Sequence, residues 1–410
     1  MQWTSAHSSK ASLEASLHDV VTRARAHLTG EPTLAFLFIS SAFTSEYARV
    51  MPLLAEQLPG VPIVGCSGAG IVGTTDDDQI REAEDEIAIS LVLAQLPGVE
   101  VTPFHVDTDR LPDLDGSPGA WSRLIGADPA KSPCFIILSD PFSRGIKDFL
   151  AGLDYAYAGR PKIGGVASSG VPNGAIALFA HGRMYREGTV GFAISGNIEL
   201  ETIVAQGCRP IGEPFRVTES ERNIILKMET EPAALGRMKP LEQLQTLVQS
   251  LDEDDRALAQ SALFVGVAQS EFKQSLGAGD FLVRNLMGYD PKEGALAVGD
   301  RIRSGQRIQF HLRDAATSAD DLKTLLRIHR MQSTGKAQAI GSLMFACLGR
   351  GEALYDEPNY DSRLFREHLG QMPMAGFFCS GEIGPVGENT YLHGFTSVFG
   401  IFRPKNPLMP

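Results

Sequence analysis

Three apolar runs in this chain end in the same way. Residues 374–378 (MAGFF) run into Cys379, Ser380, Gly381 and Glu382. Residues 61–70 (VPIVGCSGAG) end in Gly65, Cys66, Ser67 and Gly68, and residues 161–170 (PKIGGVASSG) end in Ser168, Ser169 and Gly170. Apolar runs of this length bounded by small residues read as buried strands. Each comes after a second apolar run (34–39, 134–138, 343–348) and a stretch of helical period. In 44–58 the apolar positions are Tyr47, Val50, Met51, Leu54 and Leu58, and in 144–157 they are Ile146, Phe149, Leu150, Leu153 and Tyr157. Both trace the face of an amphipathic helix, although Pro52 should kink or break the first. Around 361–370 the face is weaker: Leu364, Phe365, His368 and Leu369. A fixed unit repeated along a chain decides its fold. The pattern predicts a strand–helix–strand unit used three times, each copy ending in a small-residue loop.

Elsewhere, 12–28 reads as an amphipathic helix, 87–96 and 99–106 as strands, and the acidic stretch 74–86 as a polar loop. Pro210, Gly212 and Pro214 mark a boundary at 207–214. Beyond it come a helix at 240–251, strands at 262–268, 281–287 and 307–312, a helix capped by Ser318 with Asp321, and a last strand near 396–402. The expected fold is α+β, a mixed α/β arrangement of layered sheets covered by helices. Its two related halves are built from the repeated units and divide near 207–214.

Composition narrows the class. A chain of 410 residues, 43% hydrophobic and 21% charged, supports a large core and two or three domains. A net charge of -12 disfavours nucleic acid. Five cysteines without CxxC spacing suggest free thiols in a reducing compartment. No signal peptide is visible and no apolar run approaches the ~20 residues of a membrane span, so the expectation is a cytoplasmic protein.

Candidate chemistry gathers at the small-residue loops. Gly68-Ala-Gly70-Ile-Val-Gly73 fits G-x-G-x-x-G, but the acidic run 76–78 comes next instead of an apolar-faced helix, so a dinucleotide site is not expected. Ser67 stands two residues after Gly65, as in a nucleophile elbow, but Ala69 replaces the closing glycine. Cys66 or Cys379 as a nucleophile would need a basic partner, and no histidine sits at a recognisable spacing from either. The bland alternative is two buried thiols. No metal-ligand spacing is present, and neither a metal nor a cofactor is expected. Arg284 and Asn285 interrupt an apolar strand, where a guanidinium seeks a planar anion unless it faces water. Glu382, at the edge of a core, seeks a cation.

The segments IVGCSGAG, FLVRNLMGYDPKEGALAVGD and GFFCSGEIG together resemble the FIST (F-box and intracellular signal transduction) family, over roughly residues 34–402. The resemblance implies an N-terminal-like sensory domain at 30–210 and a C-terminal-like domain at 211–402. It also implies a signal-transduction role, with small ligands, amino acids among them, as what is bound. No kinase, cyclase or F-box segment is recognisable, so a stand-alone sensor with an unidentified signalling partner is expected. On the residues themselves, Gly65, Cys66, Ser67, Gly68, Ser168, Ser169, Cys379, Ser380 and Gly381 would line one cleft. There Arg284, with Asn285, would meet a carboxylate and Glu382 an amine. The alternatives are a cysteine-dependent hydrolase or transferase, and a ligand-free interaction scaffold.

Overall fold

The computed structural model describes residues 1–171, 174–230, 238–269, 273 and 275–405. The chain forms two compact units: residues 1–205 with 323–410, and residues 206–322.

The first unit is one motif written three times. The first copy comprises β1 (Gln2–Ser8), α1 (Leu13–Ala26), β2 (Leu34–Ser40), α2 (Tyr47–Gln57), β3 (Ile63–Gly68), the hairpin β4 (Gly70–Thr74) and β5 (Ile80–Glu84), and β6 (Ile89–Gln95). The second comprises β7 (Val99–Val106), α3 (Pro118–Ile125), β8 (Cys134–Ser139), α4 (Ile146–Ala156), β9 (Lys162–Val166), the hairpin β10 (Leu178–Ala180) and β11 (Arg183–Tyr185), and β12 (Thr189–Gly196). The third opens with β13 (Glu199–Ala205), and there the second unit is inserted.

That insert carries β14 (Arg209–Glu221), β15 (Ile224–Thr230), α5 (Pro240–Ser250), α6 (Glu253–Leu258), β16 (Leu263–Ala268), β17 (Phe281–Asp290), β18 (Ala295–Val298) and β19 (Arg307–Leu312). Its strands close a barrel in the order β14-β15-β18-β17-β16-β19, around Val217, Ile225, Val265, Leu296, Ile308 and Phe310. The third copy resumes through α7 (Ala315–Gln332) and continues with β20 (Gly341–Cys347), the short α8 (Glu352–Tyr355) and α9 (Tyr360–Leu369). It ends with β21 (Met374–Cys379), the hairpin β22 (Glu382–Val386) and β23 (Asn389–His393), and β24 (Ser397–Arg403).

Each copy builds a six-stranded sheet, but not from its own strands alone. The orders are β1-β6-β2-β3-β10-β11, β7-β12-β8-β9-β22-β23 and β13-β24-β20-β21-β4-β5. The central pairs β2/β3, β8/β9 and β20/β21 are parallel. In every case the hairpin after the second parallel strand leaves its own sheet and extends a neighbour's. The β4–β5 hairpin of copy one joins β21, β10–β11 of copy two joins β3, and β22–β23 of copy three joins β9.

The central strands read as continuous apolar runs because both faces are covered. One face of each sheet meets a shared core that includes Phe36, Phe38, Ile136, Leu138, Phe345 and Phe377. The other face carries helices: α1 and α2 pack on the first sheet through Leu17, Val20, Val50 and Leu54, and α4 packs on the second through Phe149 and Leu153. One glycine recurs at one register position in every parallel pair: Gly65 beside Leu37, Gly164 beside Ile137, Gly376 beside Met344. A Cβ at these positions would stand 2.1, 1.7 and 1.8 Å from the neighbouring carbonyl oxygen. Only glycine allows that approach.

The expected strand–helix–strand units are all present. Three local expectations need correction. Residues 74–86 are not a loop, since Ile80–Glu84 forms β5 and Glu82 is buried. A buried carboxylate in a strand erases the apolar signal. Helix α2 runs unbroken through Pro52, whose lost N–H leaves the Ala48 carbonyl on the wet side of the helix. Helix α7 starts before Ser318, with Asp314 accepting the Thr317 N–H at 2.6 Å, while the Ser318 hydroxyl donates to the Gly207 carbonyl. As expected, the G-x-G-x-x-G match opens no helix; it leads into β4. Gly70 is there because a Cβ would lie 2.6 Å from the Phe378 ring.

Candidate functional site

The parallel strands of all three sheets end close together, and the loops at their ends meet. Ser168 is the junction. Its Oγ donates to the Phe378 carbonyl and accepts the Ala69 N–H at 2.9 Å, and its N–H reaches the Ser67 carbonyl at 3.3 Å. The Ser67 Oγ donates to the Ser168 carbonyl (3.3 Å) and accepts the Ala177 N–H (3.1 Å). The third corner is stitched to the second by backbone: Val166 N–H to the Gly381 carbonyl (2.8 Å) and Ser380 N–H to the Val166 carbonyl (3.0 Å). Loops far apart in sequence are thereby fixed to one another. Buried backbone groups that no sheet satisfies demand such partners.

Above this junction opens a cavity of about 390 Å³. Ala167, Ser168, Ser169, Gly170 and Ile176 supply one wall, and Ser380 and Leu348 another. Phe142, Val171 and Leu348 stand exposed on its rim (60%, 63% and 41%), a grouping of large apolar side chains that water does not favour. Phe142 is held by Asp140, whose carboxylate accepts the N–H groups of Phe142 (2.7 Å), Ser143 (2.8 Å) and Gly188 (2.6 Å). No charged side chain is among the described lining residues.

The candidate residues divide by role. Ser169 and Ser380 line the cavity with hydroxyl groups, half-buried and exposed respectively; the Ser169 hydroxyl reaches the Val171 carbonyl at 2.7 Å. Ser67 and Ser168 spend their hydroxyls on the junction. Gly65, Gly68 and Gly381 allow close backbone approach; a Cβ on Gly68 would lie 2.8 Å from the Phe377 Cβ. Glu382 is fully buried and accepts the Thr396 N–H at 3.0 Å. Arg284 and Asn285 belong to the other unit, where Arg284 Nε pairs with Asp300 Oδ2 at 2.6 Å and Asn285 is exposed.

Cys66 and Cys379 are fully buried, and burial raises both thiols well above their ordinary range. A nucleophilic cysteine needs the opposite environment. Among the described residues no group of three or more His, Cys, Asp or Glu side chains could hold a metal ion.

Sequence reasoning missed Phe142, Val171, Leu348 and Asp140. The run Asp140-Pro141-Phe142-Ser143 directly after an apolar strand was the available signal. An aspartate there caps a turn and presents the side chains next to it.

Two family models account for most of the chain: the FIST N domain matches residues 33–231 and the FIST C domain residues 240–385. The chain is 33% identical over 394 residues to an uncharacterised protein of Mycobacterium tuberculosis strain H37Rv, covering 96% of each. An uncharacterised protein of Mycobacterium bovis is 33% identical over 381 residues, 93% of each chain. An F-box/LRR-repeat protein of Arabidopsis thaliana is 22% identical over 443 residues, 90% of this chain and 80% of that one.

Proposed function

Starting from a chain that belongs to the FIST family, whose domains serve signal transduction, we propose that it is a sensor that binds a small molecule in the cavity above the three-loop junction. The observation that carries this reading is the cavity's construction. Its floor is tied by hydrogen bonds to all three repeats, its rim is exposed and apolar, and its polar groups are few. Ligand sites have this composition and this location beyond strand ends. A ligand seated there touches segments from copies two and three directly and copy one through Ser168, so occupancy is felt by all three sheets.

The ligand class is a molecule of amino-acid size with an apolar body and one polar end. The polar end meets the Ser169 and Ser380 hydroxyls, and the body meets Phe142, Val171 and Leu348. Amino acids with aliphatic or aromatic side chains, and the corresponding carboxylic acids, are the first compounds to try. A signalling partner would then read the state of the rim.

Calorimetric titration of the full chain with this panel tests the reading. Saturable binding is expected for at least one member. Ser380→Trp, which fills the cavity from an exposed position, should abolish it without lowering Tm. Undiminished binding by that variant, or silence across the panel, would sink the proposal.

A further inference from the structure

A second cavity of the three-repeat unit, about 510 Å³, has a different chemistry. Its described lining includes five carboxyl groups, Asp77, Glu82, Glu84, Glu86 and Glu352, against one cation, Arg81. That cation is already taken, since Arg81 pairs with Glu86. An acidic cluster on a strongly acidic protein is unremarkable in itself, and part of this one is structural. Glu82 Oε1 accepts the Ser362 N–H at 2.7 Å and Glu84 Oε1 accepts the Glu352 N–H at 2.9 Å, at the starts of α9 and α8.

What structure alone does not explain is the rest of Glu82. The residue is 5% exposed, it lines the cavity, and its Oε2 has no hydrogen-bond partner. A buried carboxyl oxygen without a donor is costly, and buried carboxylates are ordinarily paired. The buried guanidinium of Arg350 is engaged with Asp361 at 2.6 and 2.9 Å. Glu84 is also short of positive charge: burial, then the neighbouring charges of Glu352, Asp85 and Asp361, hold its carboxyl above the usual range.

We propose that this cavity binds a small organic polyamine, whose ammonium groups supply positive charge to the Glu84 and Glu352 carboxyl groups and a donor to Glu82 Oε2, which gives up its own proton to the pairing. A bare metal ion does not suit it, because the carboxyl groups are spread around the walls and no three of them are placed to share one ion. A chain of ammonium groups on flexible methylenes suits spread acceptors, each ammonium offering three donors without a fixed geometry. The Ile80 and Pro358 side chains of the lining give the methylenes an apolar surface.

The probe is 1,4-diaminobutane, titrated into the full chain in about 150 mM NaCl, where diffuse counterion attraction is screened within about 8 Å. One-site saturation is expected. The double variant Glu84→Gln, Glu352→Gln keeps an acceptor oxygen for the Glu352 N–H and should bind at least about tenfold more weakly. Ser380→Trp, in the other cavity, should leave diaminobutane binding unchanged. Absence of saturation, equal binding by the double variant, or equal competition by magnesium chloride would each overturn the proposal.

Discussion

Ser168 shows how much one hydroxyl can hold. It is 1% exposed, it donates to the Phe378 carbonyl, and it accepts the Ala69 N–H. Removing it leaves a buried donor and a buried acceptor in the meeting place of three loops. Ser168→Ala should therefore cost about 2–6 kcal/mol, the sum of two stranded groups, read as a loss in denaturant midpoint. The substitution Ser169→Ala, at a half-buried position on the cavity wall, should cost under about 1 kcal/mol and appear in ligand affinity instead.

Glu82 makes a prediction in pH. Burial, and secondarily the charge of Asp361, raise its carboxyl from 4.5 to about 8. The folded protein thus keeps a proton that the unfolded chain releases at lower pH. The stability this contributes is full below about 4.5 and is lost as pH rises through about 8. Glu82→Gln keeps the acceptor for the Ser362 N–H and cannot titrate. Its stability relative to wild type should therefore rise steadily from about pH 5 to about pH 8, by chemical unfolding at each pH. A difference that stays flat across this range would show that Glu82 ionises normally in the folded chain.

At the scale of elements, the recurring glycine is the sharpest feature. Gly376→Ala places a Cβ 1.8 Å from the Met344 carbonyl oxygen in the middle of a parallel pair, and neither backbone can retreat without breaking the sheet. A loss of about 3 kcal/mol or more, or failure to accumulate as soluble protein, is expected. Gly387 is the control. It sits in a hairpin turn at φ +63° with open space around it, so alanine there should cost only about 1 kcal/mol. Comparable losses at the two positions would remove the argument that the glycine repeat marks close strand approach.

The elements that were legible in the sequence are those whose signal is local. LAFLFIS, CFIILS and SLMFAC carry no polar side chain larger than serine or cysteine, and the helices of the first two units show a clean apolar face, so the units could be read directly, the third on its strands and its closing corner. The meeting of the corners could be anticipated because small residues closed each strand. Three things were not legible. The exchange of hairpins leaves no mark in the strands that move, because a strand is patterned for being covered and not for which sheet covers it. Residues 80–84 (IREAE) are patterned as a solvated loop, because one of the three buried members of the strand is a glutamate, beside Ile80 and Ala83. The cavity rim is made by Phe142 and Val171, single apolar residues in turns that carry no period, and by Leu348, whose apolar run gave no sign that it leaves the strand for the turn after Cys347.

At the scale of the whole molecule, the two family segments and the three structural copies divide the chain differently. The FIST N and FIST C matches part between residues 231 and 240, which lies inside the barrel unit, between β15 and α5. The repeats are interlocked by their hairpins. In a fragment of residues 1–205, β4 would lack β21, β9 would lack β22 and β13 would lack β24. Each loss exposes an unpaired edge beside an apolar face, the arrangement that drives aggregation. That fragment should therefore be insoluble or poorly ordered by NMR dispersion. Co-expression with residues 323–405 returns all three missing partners and should restore a soluble complex. The barrel, residues 206–322, closes on itself and has its own apolar core. Expressed alone it should give a cooperative thermal transition. If instead residues 1–205 fold unaided into a stable monomer, the hairpin exchange is not what holds the three sheets together, and a cavity built on their junction would have to draw its rigidity from elsewhere.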